Sequence, residues 1–144
     1  MTIRPMTIGD YDEVFAMWQI TSKRALSEAD ERGQIERYLN RNKGMSQVAV
    51  IDGKIVGTVL AGHDGRRGFI HYMAVLPEYR RQGIASALTS RLAIEILLRG
   101  KVPFYCAAWC NIRSVRNAVK SSFRPAWVEM TAKSVMTVDG MNNN

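Results

Sequence analysis

Hydrophobic positions along the chain recur with two periods, one near 3.6 and one of 2, and the switches between them mark the elements. Thr2 to Arg4 reads as a short strand that stops at Pro5, which lacks a donor. Asp10 is placed to cap a helix whose Tyr11, Val14, Phe15 and Trp18 share one face. Ser27 to Asn42 reads as a second, more polar helix with a narrow stripe of Ile35, Tyr38 and Leu39, weakened by Gly33. Gln47–Ile51 and Lys54–Gly62 read as strands joined at Asp52-Gly53, a dipeptide that supplies the positive φ angles of a two-residue hairpin. His63-Asp64-Gly65 turns again, into a strand over Gly68–Val75. A polar loop, Leu76–Gly83, leads into a helix over Ile84–Arg99, with Gly100 at its C′ position. Pro103–Trp109 reads as an apolar strand, Ile112–Ser122 as a short helix, and Phe123 to about Val138 as strand-like. The order predicts one α+β domain over 1–138 with a mostly antiparallel mixed sheet, a right-handed strand–helix–strand crossover, and a flexible tail over 139–144.

Composition narrows the partners. The chain has 144 residues, 47% apolar and 23% charged, an ordinary globular balance. Its formal charge is +7, which points to an anionic partner such as nucleic acid, a phosphorylated cofactor or a membrane surface. The basic residues are scattered as Arg41/Lys43, Arg66-Arg67 and Arg113/Arg116/Lys120, so they read as solvated charge; no specific nucleic-acid recognition is expected. No apolar run reaches about 18 residues and no leader pattern opens the chain, so no membrane partner is expected. Two cysteines build no disulfide framework, which predicts a cytoplasmic setting. Cys106 and Cys110 with His63 and His71 make four potential metal ligands, yet Cys-x₃-Cys on a strand forms no knuckle, and no metal is expected.

The chemistry concentrates in Val75–Leu88. A strand ends, a loop with Arg80, Arg81 and Gly83 follows, and a helix begins at once. The first N–H groups of that helix have no internal partners, and its dipole adds partial positive charge, which suits a phosphate. Gly83 allows close backbone approach, and Ala85 and Ser86 keep the first turn small. No Gly-Lys-Ser/Thr follows, which excludes a P-loop, and a single Gly after antiparallel strands disfavours a dinucleotide fold.

Arg80-Arg81-Gln82-Gly83-Ile84-Ala85 resembles the (Gln/Arg)-x-x-Gly-x-(Gly/Ala) pattern of the GNAT superfamily of N-acetyltransferases. Met73–Tyr79 looks like the strand and turn that lead into it, and Val56–Gly68 is similar to small bacterial acetyltransferases of the YpeA type. The likeness covers residues 1–111 in element order and is most specific over 54–99. It implies a GNAT-like sheet, splayed between its fourth and fifth strands and flanked by about four helices. It further implies acetyl-CoA as cosubstrate, with the pantetheine amides on backbone groups of Met73, Ala74 and Val75 and the pyrophosphate on Arg80, Arg81, Gln82, Gly83, Ile84, Ala85 and Ser86. Asn111 and Ser114 would line the far wall. The implied reaction is direct attack of an amine on the thioester.

That reaction needs a base, an oxyanion donor and an acid. Alternation over 68–75 would put Phe69, His71, Met73 and Val75 on one face, where His71, with an ordinary pKa of about 6.5, is the titratable residue and the candidate base. Asp64 and Glu36 are further candidates, expected on solvated surfaces. For the acid, the family pattern places a Tyr seven residues after the Asn. Here Ala118 stands at that position, Asn117 where an apolar residue is expected, and Ser122 where Gly would give a positive-φ helix end. The departure keeps a second reading open, a CoA-binding module with weak or no transferase activity; a third, non-specific nucleic-acid binding, rests on charge alone. Trp18, Tyr38, Tyr72 and Trp109 are candidates for an acceptor cleft, with Trp18 more in keeping with the core, and Tyr105 or Trp109 is expected to face the splay. The acceptor amine is unspecified, and a homodimer with exchanged C-terminal strands is compatible with the degenerate end.

Overall fold

A computed structural model describes residues 1–21, 26–105 and 111–125. Five strands form one sheet in chain order: β1 (Thr2–Pro5), β2 (Gln47–Ile51), β3 (Lys54–His63), β4 (Arg67–Val75) and β5 (Val102–Pro103). The first four are antiparallel neighbours, and β5 lies parallel to β4. Four α-helices flank the sheet among the described residues: α1 (Tyr11–Thr21), α2 (Arg32–Arg41), α3 (Ile84–Leu98) and α4 (Ile112–Lys120). The mixed, mostly antiparallel GNAT-like α+β arrangement expected from the sequence is the one observed. No described helix is long and apolar enough to cross a membrane.

Each sheet face buries one cluster. Tyr11, Val14, Met17 and Trp18 of α1 join Ile35 of α2 against Val48, Ile55, Leu60 and Ala74. On the other face Ile84, Leu88, Leu92 and Ile96 of α3 cover Ala49, Val56, Val59 and Ala61. Two glycines set how closely α3 can lie. A Cβ on Gly57 would come within 2.9 Å of Ile84 Cγ2, and one on Gly68 within 2.5 Å of Ile96 Cδ1. Asp52 and Gly53 both take positive φ, as the hairpin expectation required. Gly100 closes α3 with bonds from its own N–H to Leu97 O (2.9 Å) and from Lys101 N–H to Ile96 O (3.1 Å), a Schellman end.

Several expectations are corrected. Asp10 does not cap α1 directly. It sits in a 3₁₀ turn (Ile8–Asp10), where its carboxylate accepts from Thr7 N–H (2.8 Å) and from both Nη atoms of Arg4 (2.7 and 2.8 Å). The helix expected over 27–42 is split, because Glu31 is extended (φ −62°, ψ 150°) between a 3₁₀ turn (Glu28–Asp30) and α2. Two tyrosines cause the break: Tyr11 Oη donates to Asp30 O (2.9 Å) and Tyr72 Oη to the Asp30 carboxylate (3.2 Å), which turns this residue inward. Residues 104 and 105 are not in a strand; of the strand expected over 103–109, only Pro103 is paired, and 106–110 fall outside the described residues. Ser122 does not forfeit the helix end. It adopts φ +67°, and Ser122 N–H and Phe123 N–H bond to Val119 O and Ala118 O (3.0 Å each), so α4 ends like α3 with a serine in the glycine role. The expected strand after Phe123 and the tail lie outside the described residues, apart from an irregular 123–125.

Two predictions follow from these ends. A left-handed conformation costs a non-glycine residue about 1 kcal/mol, so Ser122→Gly should raise the thermal midpoint by a few degrees. The Arg4 guanidinium, with help from Thr7, holds the Asp10 carboxyl down to about 2. A group lowered on folding adds stability that is complete above about pH 4 and is lost as pH falls toward 2. Urea midpoints of the wild type should therefore drop over that window, and Asp10→Asn should shrink the drop.

Candidate functional site

The candidate site grows from the free edge of β4. This strand meets β5 only through Arg67↔Val102 and Gly68↔Pro103, extended by a bond from Phe104 N–H to Gly68 O (3.1 Å). Beyond Gly68 that edge of β4 has no strand partner among the described residues. Leu76 N–H donates to Val56 O (3.0 Å), so Gly57↔Val75 is a non-hydrogen-bonded pair. By the same alternation, the N–H and C=O groups of Met73 and Val75 point away from β3 toward the open side, whereas those of Ala74 are used within the β3–β4 ladder. The Ala74 backbone therefore faces β3, and only Met73 and Val75 present their backbone groups to the open side.

A bulge reshapes this strand. Leu60 pairs with Tyr72 and Ala61 with Ile70, leaving His71 as the extra residue. Ile70, Met73 and Val75 all pack on the α3 side, while Tyr72 packs on the α1–α2 side. Strict alternation through Phe69, His71, Met73 and Val75 is therefore broken: an extra residue moves everything beyond it to the other face. The His71 side chain lies outside what the structure describes, so its role as a base stays an expectation.

At the end of β4 the chain makes a 3₁₀ turn (Pro77–Tyr79) and passes through Arg81 at φ +68° and Gly83 at φ +81° before entering α3. The first backbone bond into the helix is Ala87 N–H to Gly83 O (3.0 Å). The N–H groups of Arg81, Gln82, Gly83, Ile84, Ala85 and Ser86 have no acceptor among the described residues. Space around the Gly83 Cα is open, with no atom within 4 Å of where a Cβ would stand. Arg80 Nε donates to Val75 O (3.1 Å), tying the loop to the strand edge. Arg80 and Arg81 are exposed, and neither is in an ion pair among the described residues. This is a contiguous run of donors with two guanidinium groups beside it, suited to a multivalent anion.

The remaining candidates divide. The Ile84 side chain is buried against Gly57, so only its N–H faces the mouth. The Ser86 hydroxyl is committed to Asn117 Oδ1 (3.0 Å). Asn111 caps α4, accepting from Ser114 N–H (3.2 Å), and Ser114 Oγ is bonded to Tyr105 Oη (2.9 Å). Asp64 holds its own turn, accepting from the N–H groups of Arg66 (2.8 Å) and Arg67 (2.7 Å), which lower its pKa, and Glu36 is exposed on α2. Trp18 is core, with no exposed surface, its ring tilted against that of Tyr72 at 5.3 Å between centroids. Tyr38 and Tyr72 line a cleft on the α2 side of the sheet; Trp109, Cys106 and Cys110 fall outside the described residues.

Sequence reasoning missed the strut that holds α4 to α3. Asn117, read as out of place, donates to Thr89 Oγ1 (2.7 Å) and accepts from Ser86, while Ser121 Oγ donates to Ser86 O (3.4 Å). The signal was present as two polar stripes, Ser86/Thr89 and Ser114/Asn117/Ser121, at helical spacing.

Comparison with known proteins agrees with this geometry. Residues 11–120 match the model of the acetyltransferase (GNAT) family. The chain is 38% identical over 100 residues to acetyltransferase SG1711 of Sodalis glossinidius (strain morsitans), covering 69% of this chain and 70% of that protein. Among solved structures, AAC(6')-Iy in complex with the bisubstrate analogue CoA-S-monomethyl-acetylneamine superposes with a TM-score of 0.78 at 17% identity, covering 92% of this chain and 97% of that one. The aminoglycoside antibiotic 6'-N-acetyltransferase AAC(6')-IG of Acinetobacter haemolyticus superposes with a TM-score of 0.71 at 20% identity, covering 94% and 99%. The run of donors at the mouth of α3, the edge of β4 that has no strand partner beyond Gly68 among the described residues, and these likenesses lead to one conclusion: the chain belongs to the GNAT acetyltransferase family.

Proposed function

We propose that this chain moves an acetyl group from acetyl-CoA to a primary amine of a small molecule or a protein. The observation that carries the reading is the run of N–H groups over Arg81–Ser86 that are uncommitted among the described residues, beside two arginines with no ion pair there. A diphosphate matches them in charge and in number of acceptors. The outward N–H and C=O groups of Met73 and the outward N–H of Val75, whose carbonyl already accepts from Arg80, offer an amide-bearing arm the bonds that a neighbouring strand would make. That neighbours of this fold were crystallised with CoA or a CoA-containing analogue supports the same cosubstrate here.

In the reaction, the amine nitrogen attacks the thioester carbonyl and a tetrahedral oxyanion forms; an outward N–H at the end of β4 is the donor for it. The C–S bond then breaks, the electron pair leaves with sulfur, and the amide forms. His71, the extra residue of β4, is the base that the sequence nominates for the amine proton. Ala118 brings no proton to the leaving thiolate. That absence favours a second reading, a CoA-binding module with little turnover, since loss of a general acid costs about 10²–10⁴-fold.

Calorimetric titration with acetyl-CoA and thiol release with an amine panel separate the two. Binding with release supports the enzyme, binding without release supports the module, and no binding at millimolar acetyl-CoA contradicts both. Arg81→Ala removes an exposed side chain. It should leave the ligand-free melting temperature within about a degree and weaken acetyl-CoA binding about tenfold or more, since a charge-assisted hydrogen bond contributes roughly 1.5–3 kcal/mol.

A further inference from the structure

The face of the sheet opposite α3 carries a cleft of about 410 Å³. Asp30, Gln34, Tyr38, Leu60 and Tyr72 line it. Asp30 is only 3% exposed, yet it is a carboxylate. Its Oδ2 accepts from Ser27 N–H (2.8 Å), Ser27 Oγ (3.3 Å) and Tyr72 Oη (3.2 Å). Its Oδ1 has no partner among the described residues, and no lysine or arginine there pairs with it. A carboxylate with one oxygen left to the cleft and no counter-charge among the described residues favours a cation brought to it. Tyr72, packed at a tilt against Trp18, and Tyr38 offer aromatic surfaces to the same cation.

Charge is divided along the chain in the same sense. Seven of the thirteen acidic residues but only three of the twenty basic ones lie between Asp10 and Glu36, so this stretch carries −4 and the rest of the chain +11. The cleft wall built by Asp30 and α2 belongs to the acidic stretch, whereas the mouth of α3 belongs to the basic remainder. One protein thus presents an anion site and a cation site on opposite sides of β4. Tyr72 joins them, since it reaches Asp30 through its hydroxyl and adjoins Met73, whose backbone faces the open edge.

We propose that Asp30 anchors one protonated amine of the acceptor, so that the acceptor is a diamine or polyamine whose second, neutral amino group is acetylated. This rests on the acetyl-transfer reading. The anchored ammonium keeps its proton and stays at Asp30. The distant nitrogen bonds to the acetyl carbon, the C–S bond breaks with its electron pair going to sulfur, and the proton lost by nitrogen passes to the base while the thiolate is protonated from solvent.

The test uses the full chain, calorimetry and thiol release, with 1,4-diaminobutane and n-butylamine as probes. Both amines should bind the wild type, and Asp30→Asn should weaken each tenfold or more while acetyl-CoA binding stays within twofold. Only the diamine should be a good substrate; butylamine, held by its only amino group, should act as a competitive inhibitor. Gln34→Glu, on the exposed rim, adds a negative charge without touching the core and should tighten diamine binding several-fold, which keeps the proposal testable if Asp30→Asn does not fold. Amine binding that is absent in the wild type, or that ignores both substitutions, overturns the anchor, as does equal turnover of butylamine and diamine. Diamine binding without acetyl-CoA binding would instead remove the acetyl-transfer reading and leave the anchor standing.

Discussion

The close seat of α3 on β3 and β4 is the constraint from which the site follows. Gly57 and Gly68 leave no room for a Cβ under Ile84 and Ile96, so the helix lies almost on the backbone of the sheet. With its axis fixed there, the first turn of α3 meets the end of β4. The N–H groups of the turn therefore follow directly on the outward groups of Met73 and Val75. A larger residue at either glycine would lift the helix and separate the two donor sets, because a packed core transmits such displacements rather than absorbing them.

The second structural device is the short pairing of β5, which among the described residues meets β4 only at Arg67 and Gly68. Had β4 and β5 paired along their full length, the edge of β4 would be satisfied and closed to any ligand. The bulge at His71 adds to this by re-aiming the strand and putting Tyr72 on the α2 face, where it meets Asp30. The polar strut through Asn117 holds α4 against α3 on the far side. Every group in the strut has a partner, which is the condition under which a part-buried polar contact stabilises an interface instead of weakening it.

What was legible in the sequence was what short-range chemistry decides. Asp52-Gly53 and Gly100 announce their turns because positive φ is a local demand. The Arg80–Ala85 run announces a cluster of helix-start donors, free among the described residues, because loop, glycine and helix start are contiguous. What stayed hidden depends on partners distant in the chain. The register shift at His71 exists only in the pairing of β4 with β3. The break at Glu31 depends on hydroxyls from Tyr11 and Tyr72, 19 and 42 residues away from Asp30. Ser122 in a left-handed conformation shows that a tertiary fit can override the residue preference from which its loss was expected.

The central claim is that backbone N–H groups at the start of α3 hold the diphosphate of coenzyme A. Amide-resolved NMR during a titration with CoA tests it most directly. The account predicts that the cross-peaks of Gln82 to Ser86 shift most, together with those of Met73 and Val75. Saturable binding that leaves those amides unmoved, or no perturbation at millimolar CoA, would contradict it.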